Sequence, residues 1–336
     1  MSDSLSDNIN QWKVGILGAR GYVGKEFIES VLMHPNLELS WVSSRQLAGQ
    51  PLSTLVPSAT DVDLTIELLT PDDLRPVDIL VLALPNGLAA PYVAAAKDTQ
   101  IMIDLSADYR FDDDWIYSVP EIHGAKLSTQ HDAKSAAAIK ISNPGCYATA
   151  MQAAIAPIAE RVSGNVHCVG ISGYSGAGTK PSPNNDPERL KDNILPYALT
   201  EHIHEREVTR HTGCQIHFSP NVASFFRGIS MTVQWTAESP QKIDELVELF
   251  KAYYDEQKYV QVQSEIPNIQ QVVNTPNCIV GGFSVSEDGL RITQIAVLDN
   301  LAKGAASQAM QNINISLGLE QSLGIDSHPT TKPHQE

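Results

Sequence analysis

An apolar segment that runs directly into a glycine-rich turn near the N-terminus constrains the fold most. Residues 13–17 read Lys-Val-Gly-Ile-Leu, and Gly18, Gly21 and Gly24 follow before a helix predicted from Lys25 to about His34. Glycines here permit a tight turn and let the backbone approach a pyrophosphate at the helix N-terminus. The placement favours a dinucleotide-binding turn in a first βα unit, against the alternative of a plain glycine-rich turn.

Strands and helices alternate through the rest of the first half. Leu37–Ser43, residues 78–84 and residues 101–105 are predicted strands, and the alanine-rich residues 87–97 fit a helix. Continuous apolar runs of this kind are typical of strands buried on both faces of a parallel sheet. The predicted fold class is therefore α/β, with a Rossmann-type doubly wound parallel sheet.

The second half indicates an inserted α+β domain with a mixed sheet. Residues 227–236 alternate apolar and polar side chains, as a half-buried antiparallel strand does. Four more strands are predicted at 166–174, 215–218, 277–285 and 291–297, and helices at 240–254 and about 301–319. We predict a first domain at 12–147, completed by the helix at 301–323, a second at 148–300, and disordered tails at 1–11 and 324–336.

Charge and cysteine usage exclude several classes of function. The formal net charge of −16 argues against a nucleic-acid partner. The four cysteines are widely spaced, so we expect no disulfide framework or metal site, and a cytoplasmic location. No apolar stretch approaches the roughly 18 residues that span a bilayer, so no membrane partner is expected.

The end of the second predicted strand distinguishes between the nicotinamide cofactors. An NAD site places an acidic residue there, whereas this chain has Ser43, Ser44 and Arg45. Hydroxyls and a guanidinium suit a 2′-phosphate, so NADP(H) is the predicted cofactor. We also assign Arg20 and Pro85 to cofactor contacts.

Cys146 is the strongest candidate for a nucleophile. It follows the turn formed by Pro144 and Gly145 and begins an alanine-rich helix. The partial positive charge of a helix N-terminus favours thiolate over thiol. A free cysteine is more often a small buried apolar residue, and that interpretation suits Cys168 in its strand.

A nucleophilic cysteine requires an acid–base partner, and residues 202–207 supply the best candidates. His202 or His204 would carry the proton, and Glu207 would position the imidazole. The alternatives are a solvated helix start and, for this spacing of histidines and glutamate, a metal site. Reductive chemistry needs no metal, so none is predicted.

Arg110 follows the strand at 101–105, on the side of the sheet where α/β sites form. Its guanidinium would bind a phosphate group through two parallel hydrogen bonds, in a bidentate interaction. The alternative is a structural ion pair with Asp104 or Asp108. The small-residue loop at 172–180 is either a linker or a substrate loop that ends in a cation. We assign Ser175, Lys180 and Asn143 to substrate binding.

Together these residues resemble the N-acetyl-gamma-glutamyl-phosphate reductase family along nearly the whole chain between the tails. The matching segments are 18–24, 104–111, 119–121, 143–149, 173–178, 202–207, 227–229 and 299–304 with Gln308. The resemblance implies a Rossmann domain, an α+β domain that helps oligomerisation, and a homodimer or homotetramer. It implies Cys146 as nucleophile, His204 or His202 as acid–base, and Asn300 with the glycine turn as cofactor contacts.

The activity implied by the resemblance is NADPH-dependent reduction of N-acetyl-gamma-glutamyl phosphate through a cysteine thioester, a step of arginine biosynthesis. Two alternatives stay open. One is reduction of a related acyl phosphate, aminoadipyl or aspartyl phosphate, which relative kcat/KM values on N-acetylated and free substrates would distinguish. The other is an inactive NADP-binding module, in which Cys146 would be inert towards a thiol reagent.

Overall fold

The computed structural model describes residues 11–132 and 137–326. Residues 1–10 and 327–336 of the two predicted tails lie outside the described residues. Residues 324–326 correct the predicted start of the C-terminal tail, because they are packed. Ile325 is 2% exposed, and the Asp326 carboxylate accepts hydrogen bonds from Lys258 Nζ (2.6 Å) and Tyr259 Oη (2.8 Å).

The first sheet has six parallel strands in the order β2-β1-β3-β4-β6-β5, which confirms the predicted doubly wound α/β fold. The strands are β1 (Trp12–Leu17), β2 (Leu37–Ser43), β3 (Ile79–Leu82), β4 (Ile101–Asp104), β5 (Ile116–Tyr117) and β6 (Ile139–Ser142). The helices are α1 (Tyr22–Met33), α2 (Ala90–Ala95) and α3 (Pro120–Asp132). Because β2 and β3 flank β1 on opposite sides, a crevice opens at their carboxyl ends, where α/β proteins bind ligands.

The second sheet is mixed, in the order β11-β12-β13-β10-β7-β9-β8. Its strands are β7 (Val162–Gly173), β8 (Ile194–Pro196), β9 (Gln215–Ala223), β10 (Ile229–Ala237), β11 (Val260–Val262), β12 (Cys278–Val285) and β13 (Arg291–Leu298). The helices of this half are α4 (Cys146–Ile155), α5 (Pro187–Leu190), α6 (Ile203–Thr212) and α7 (Ile243–Tyr253). The pairs β7–β9 and β11–β12 are parallel, and the others are antiparallel.

Strand β9 is longer than the sequence predicts because Pro220 does not end it. Proline cannot donate a ladder hydrogen bond and is confined to edges and bulges of sheets. β8 pairs only with residues 221–223, so the missing N–H of Pro220 faces no strand on that side. The strand therefore continues to Ala223.

The chain returns to the first sheet after β13. A π-helical turn at Ala302–Ala306 leads into α8 (Ser307–Ser316). Ala309, Met310 and Ile313 of α8 are fully buried in the same apolar cluster as Val14 and Phe27. A π-helical turn inserts an extra residue into a helix and often lies at a functional site. Within the part of the chain that the structure describes, no helix is long and apolar enough to cross a bilayer.

Candidate active site

A cavity of about 290 Å³ lies at the carboxyl ends of β1, β3, β4 and β6. Its walls come from both sheets and from the π-helical turn, and comprise residues 21–24, Ala83, Leu84, Leu105, Arg110, residues 143–146, Ser175, Gly176, Gly178, His204, residues 300–301, Gly304 and Ala305. The glycine turn, the predicted nucleophile and one predicted acid–base residue therefore share one cavity.

The glycine turn has the geometry that a dinucleotide requires. Gly18 has φ +82°, and a Cβ there would lie 2.1 Å from the carbonyl oxygen of Ala83. A Cβ on Gly24 would lie 2.9 Å from the carbonyl oxygens of Gly18 and Ala19. Gly21 caps α1 without a side chain, so the N–H groups of its first turn face the cavity unshielded. A pyrophosphate fits such a helix N-terminus.

At the end of β2, Ser43 forms hydrogen bonds within the protein, whereas the Arg45 side chain is exposed. The carbonyl oxygen of Ser43 accepts from the N–H groups of Gly18 (3.0 Å) and Ala19 (3.1 Å), and its hydroxyl accepts from Leu69 N (3.1 Å). Ser43 and Ser44 are buried, whereas Arg45 is exposed and forms no salt bridge with any described residue. The Arg45 guanidinium is thus free to bind an anion. Arg20 is half-buried and Pro85 is exposed, and neither lines the cavity.

Cys146 is the first residue of α4 and is half-buried in the cavity wall. Burial raises the pKa of its thiol to about 11, although Arg110 and the N–H group of Tyr147 lower it. Desolvation therefore opposes the stabilisation of a thiolate that the N–H groups at the start of α4 provide. A Cβ on Gly304 would lie 2.7 Å from Cys146 Cβ, so the π-helical turn packs directly against the nucleophile.

The two histidines that the sequence left as alternatives make different contacts in the structure. His202 caps α6, and its Nδ1 accepts from His204 N (3.1 Å). His204 lies against Gly145, where an added Cβ would be 2.1 Å from His204 Nε2. Burial, with Arg110 and His202 nearby, holds the pKa of His204 well below its usual range. The His204 imidazole shares the cavity wall with Cys146, and its lowered pKa favours the neutral form at neutral pH.

Glu207 does not contact the imidazoles, which corrects the prediction that it positions one of them. Its Oε2 accepts from Arg110 Nη1 (3.0 Å), and its Oε1 accepts from Gly145 N (2.9 Å) and Tyr117 Oη (2.8 Å). The carboxylate is fully buried. It fixes the turn that presents Cys146. Tyr117 was missed because a single tyrosine in a two-residue strand carries no sequence signal.

Arg110 pairs with Glu207 and not with either aspartate considered from the sequence. Asp104 binds Ser106, and Asp108 accepts from Gly87 N (2.6 Å) and Ala89 N (3.2 Å). The guanidinium also donates to the carbonyl oxygens of Asn143 (3.1 Å) and Leu105 (3.4 Å). These three hydrogen bonds use three of its five N–H groups, and Arg110 lines the cavity.

The remaining predicted residues divide between the cavity wall and the surface. Asn300 Nδ2 donates to Ser175 Oγ (2.9 Å), and its Oδ1 accepts from Gly228 N (2.7 Å), so the amide joins two loops at the wall. Asn143 is 1% exposed and donates to the carbonyl oxygen of Ala305 (3.3 Å). Lys180 is exposed and does not line the cavity, so the structure does not place it in the site. No described His, Cys, Asp or Glu residues form a group of three that could hold a metal ion.

Replacing Glu207 by alanine is expected to lower the free energy of unfolding by about 3 kcal/mol, because it leaves the Arg110 guanidinium buried without a partner. The measurement is urea unfolding followed by far-UV circular dichroism. Glu207→Gln is the matched control, since an amide oxygen can still accept from Gly145 N and should retain part of that stability. Equal stability of the alanine variant and the wild type would contradict the structural role.

Two family models match the chain in succession. A model described as semialdehyde dehydrogenase, NAD binding domain, matches residues 13–130. A model described as semialdehyde dehydrogenase, dimerisation domain, matches residues 146–300. Both matched segments contribute to the cavity wall. The glycine turn lies in the segment matched by the NAD binding domain, and Cys146, His204 and Asn300 lie in the segment matched by the dimerisation domain.

The chain is similar over nearly its full length to curated proteins named N-acetyl-gamma-glutamyl-phosphate reductase. It is 45% identical over 323 residues to the one from Stenotrophomonas maltophilia (strain R551-3), which covers 95% of this chain and 99% of the relative. It is 43% identical over 321 residues to the one from Xylella fastidiosa (strain 9a5c), which covers 94% of each.

Solved structures with the same fold share far less sequence. A probable aspartate-semialdehyde dehydrogenase from Pseudomonas aeruginosa has a TM-score of 0.74 at 18% identity and covers 92% of this chain and 100% of that one. An aspartate semialdehyde dehydrogenase with NADP from Candida albicans has a TM-score of 0.72 at 15% identity, with 91% and 98% covered. At these identities the likeness concerns the fold alone.

Proposed function

The chain belongs to the N-acetyl-gamma-glutamyl-phosphate reductase family, and on that premise we propose that it reduces N-acetyl-gamma-glutamyl phosphate to N-acetylglutamate 5-semialdehyde and phosphate. NADPH is the proposed reductant, and the reaction is a step of arginine biosynthesis. The observation that carries the proposal is the single cavity lined by Cys146, His204, Arg110 and the glycine turn. It combines a thiol, a proton acceptor and a guanidinium at the carboxyl edge of a dinucleotide-binding sheet.

The cofactor site is proposed at the glycine turn. Gly18 and Gly24 let the turn pack closely on neighbouring backbone, and Gly21 caps α1 without a side chain. The N-terminus of α1 at the cavity is the proposed site of the pyrophosphate. Arg45 would bind the 2′-phosphate, with Ser44, Arg20 and Pro85 around the adenosine half. Ser43 and Asn300 support this site through contacts within the protein. When bound, the nicotinamide supplies a hydride to the substrate carbon.

The first chemical step is proposed to form a thioester on Cys146. The sulfur attacks the acyl carbon while His204 takes the thiol proton, and the bond from that carbon to the phosphate oxygen breaks. The departing phosphate takes up one proton from solvent. A neutral imidazole suits this role because a thiol with a pKa of about 11 does not ionise unaided at neutral pH. The two unused N–H groups of Arg110 would hold the leaving phosphate.

The second step returns the proton. After hydride transfer to the thioester carbon, protonated His204 donates to the resulting oxyanion. The carbon–sulfur bond of the thiohemiacetal then breaks, which releases the aldehyde and regenerates the Cys146 thiol. Ser175 and Asn143 are proposed to position the substrate from opposite parts of the wall.

Alkylation of Cys146 by iodoacetamide is expected to accelerate with pH in the ligand-free protein. Since burial raises the pKa of the thiol to about 11, the rate should rise roughly tenfold per pH unit between pH 7 and pH 10. Mass spectrometry of the Cys146 peptide measures this rate, and Cys146→Ser provides the background from the other three cysteines. A plateau below pH 8 would show that the helix N-terminus outweighs desolvation.

The test of the function is the reaction run backwards. N-acetylglutamate 5-semialdehyde should drive reduction of NADP⁺ only when phosphate is present, followed by absorbance of the reduced nicotinamide. Aspartate semialdehyde and aminoadipate semialdehyde test the related acyl phosphates. A preference for either over the N-acetylated compound in kcat/KM would overturn the substrate assignment, whereas absence of any turnover would favour an inactive binding module.

We infer two domains, 12–147 with 301–323 and 148–300, and a homodimer or homotetramer built through the second. The uncovered face of the second sheet supports this oligomerisation. On that face β7 exposes His167 and Val169, the latter 45% exposed, β9 exposes His217, and β10 exposes Gln234. The match of residues 146–300 to a semialdehyde dehydrogenase dimerisation domain also supports an assembly built through this domain. Sedimentation equilibrium distinguishes the two assemblies.

A further inference from the structure

A second cavity, of about 760 Å³, lies on the side of α1 that the active site does not use. It is lined by Glu26, Glu29, Ser30, Leu32 and Met33 of α1, by residues 57–59, 61 and 62, by Arg227, by residues 274–276, by Ala302, Ala306 and Ser307, and by Ile325. Its size falls within the range of small-molecule sites. Neither the proposed catalytic steps nor the proposed cofactor contacts involve these residues.

The charges in this cavity favour a cation. Arg227 is the one basic residue in its lining, and it is already paired with Glu26 (2.9 Å) and Asp299 (2.6 Å). Glu29 and Asp61 form no salt bridge with any residue in the described ranges 11–132 and 137–326. Burial and the neighbouring Glu26 raise the pKa of Glu29. A bound cation would compensate the desolvation of that carboxylate.

An unpartnered polar side chain points to a ligand independently of the charges. Ser307 lines the cavity and is 6% exposed, yet its hydroxyl has no hydrogen-bond partner among the described residues. Buried hydroxyls are normally satisfied, because an unmade hydrogen bond costs about 1–3 kcal/mol. Leu32, Met33 and Val62 provide apolar surface beside these polar groups.

We propose that this cavity is a second binding site, for a small organic cation carried on a short aliphatic stem. The cationic group lies between Glu29 and Asp61, the stem packs on the apolar side chains, and a polar group of the ligand bonds the Ser307 hydroxyl. The site does not depend on the proposed catalytic function, since it shares no lining residue with the active-site cavity.

A ligand bound in this second cavity would lie against the π-helical turn at Ala302–Ala306. Ala302, Ala306 and Ser307 line the second cavity, whereas Leu301, Gly304 and Ala305 line the active site. Successive residues of one π-helical turn therefore separate the two cavities, and Gly304 of that turn packs on Cys146. A ligand in the second cavity would therefore contact the face of this turn opposite to the one that packs on Cys146.

The test compares L-arginine with L-citrulline by isothermal titration calorimetry on the full-length protein. The two probes have nearly the same shape, but citrulline carries a neutral urea in place of the guanidinium. NADP⁺ and phosphate are kept saturating, so that the active site is filled. We expect arginine to bind saturably, with one site per chain, and citrulline to bind at least about tenfold more weakly.

Variants locate the binding. The double variant Glu29→Gln, Asp61→Asn is expected to weaken arginine binding by about tenfold or more, and Ser307→Ala by a smaller factor. The matched control is Glu160→Gln, Glu238→Gln, which changes the net charge equally at two exposed carboxylates outside the cavity. Unchanged melting temperatures establish that all variants fold.

Three results with the wild type and the double variant would overturn the proposal. They are the absence of saturable arginine binding up to about 10 mM, equal affinities for arginine and citrulline, and unchanged arginine affinity in the Glu29, Asp61 double variant. Loss of binding in the control variant alone would also overturn it, because the cation would then bind elsewhere. None of these results bears on turnover, so the proposed function is tested separately.

Discussion

Replacing Cys146 by serine is expected to lower kcat by a factor on the order of 10⁴ or more. A hydroxyl is a weaker nucleophile than a thiol, and the ester it would form accepts hydride less readily than a thioester. The affinity for NADPH should change by less than about twofold, because the glycine turn and Arg45 do not depend on the sulfur. Reverse-reaction kinetics and fluorescence titration with NADPH measure the two quantities.

Cys214→Ser is the matched control for this substitution. The Cys214 thiol already donates to the carbonyl oxygen of Ala159 (3.7 Å), a contact that a serine hydroxyl can keep, and it lies outside the cavity. Turnover of this variant should stay close to that of the wild type. Near-native turnover of Cys146→Ser would instead refute the thioester route, whatever the control shows.

Replacing Gly145 by alanine is expected to reduce kcat/KM by about 10³-fold without a comparable loss of stability. The backbone of Gly145 has φ −72°, which alanine adopts without strain. The added Cβ would nevertheless lie 2.1 Å from His204 Nε2 and 2.7 Å from Arg110 Nη1, so both side chains must move. General acid–base catalysis contributes roughly 10²–10⁴-fold, and displacement by about 1 Å costs about 10²-fold.

Gly124→Ala is the matched control, because it makes the same glycine-to-alanine change at a position outside the cavity lining. Gly124 lies within α3, and the nearest atom to an added Cβ is Ile315 Cδ1 at 3.3 Å, far from the cavity lining. Activity should be preserved there, because alanine is the better helix former. If Gly145→Ala kept more than about a tenth of the wild-type kcat/KM, the imidazole that contacts Gly145 could not be the acid–base group.

Local patterns account for much of what could be predicted about the fold. Apolar runs, alternation and helical spacing predicted both sheets and the last helix, because burial imposes these periods on neighbouring residues. Helix α3 and strands β5 and β6 were not predicted. α3 contains few apolar residues at helical spacing, and β5 has only two residues, so neither produces a periodic signal.

Several residues of the cavity wall could be singled out from the sequence, but the connections between them could not. The turn before Cys146 and the pair His202 and His204 are local features of the sequence. The role of Glu207 is not, since its partners Gly145, Tyr117 and Arg110 lie 62, 90 and 97 residues away. Lys180 shows the converse case, because a cation at the end of a glycine-rich loop suggested a substrate contact, whereas its side chain lies at the surface and outside the cavity lining.

The sequence by itself determined the order of the elements, the glycine turn and the placement of a cysteine at a helix N-terminus. Only the tertiary structure decided which histidine shares the cavity wall with Cys146 and how far burial shifts the pKa of each group. A helix N-terminus is a local source of charge stabilisation, whereas desolvation depends on every segment packed around the group. The cavity wall around Cys146 comes from both halves of the chain, so the burial that raises the pKa of its thiol cannot be derived from the local sequence.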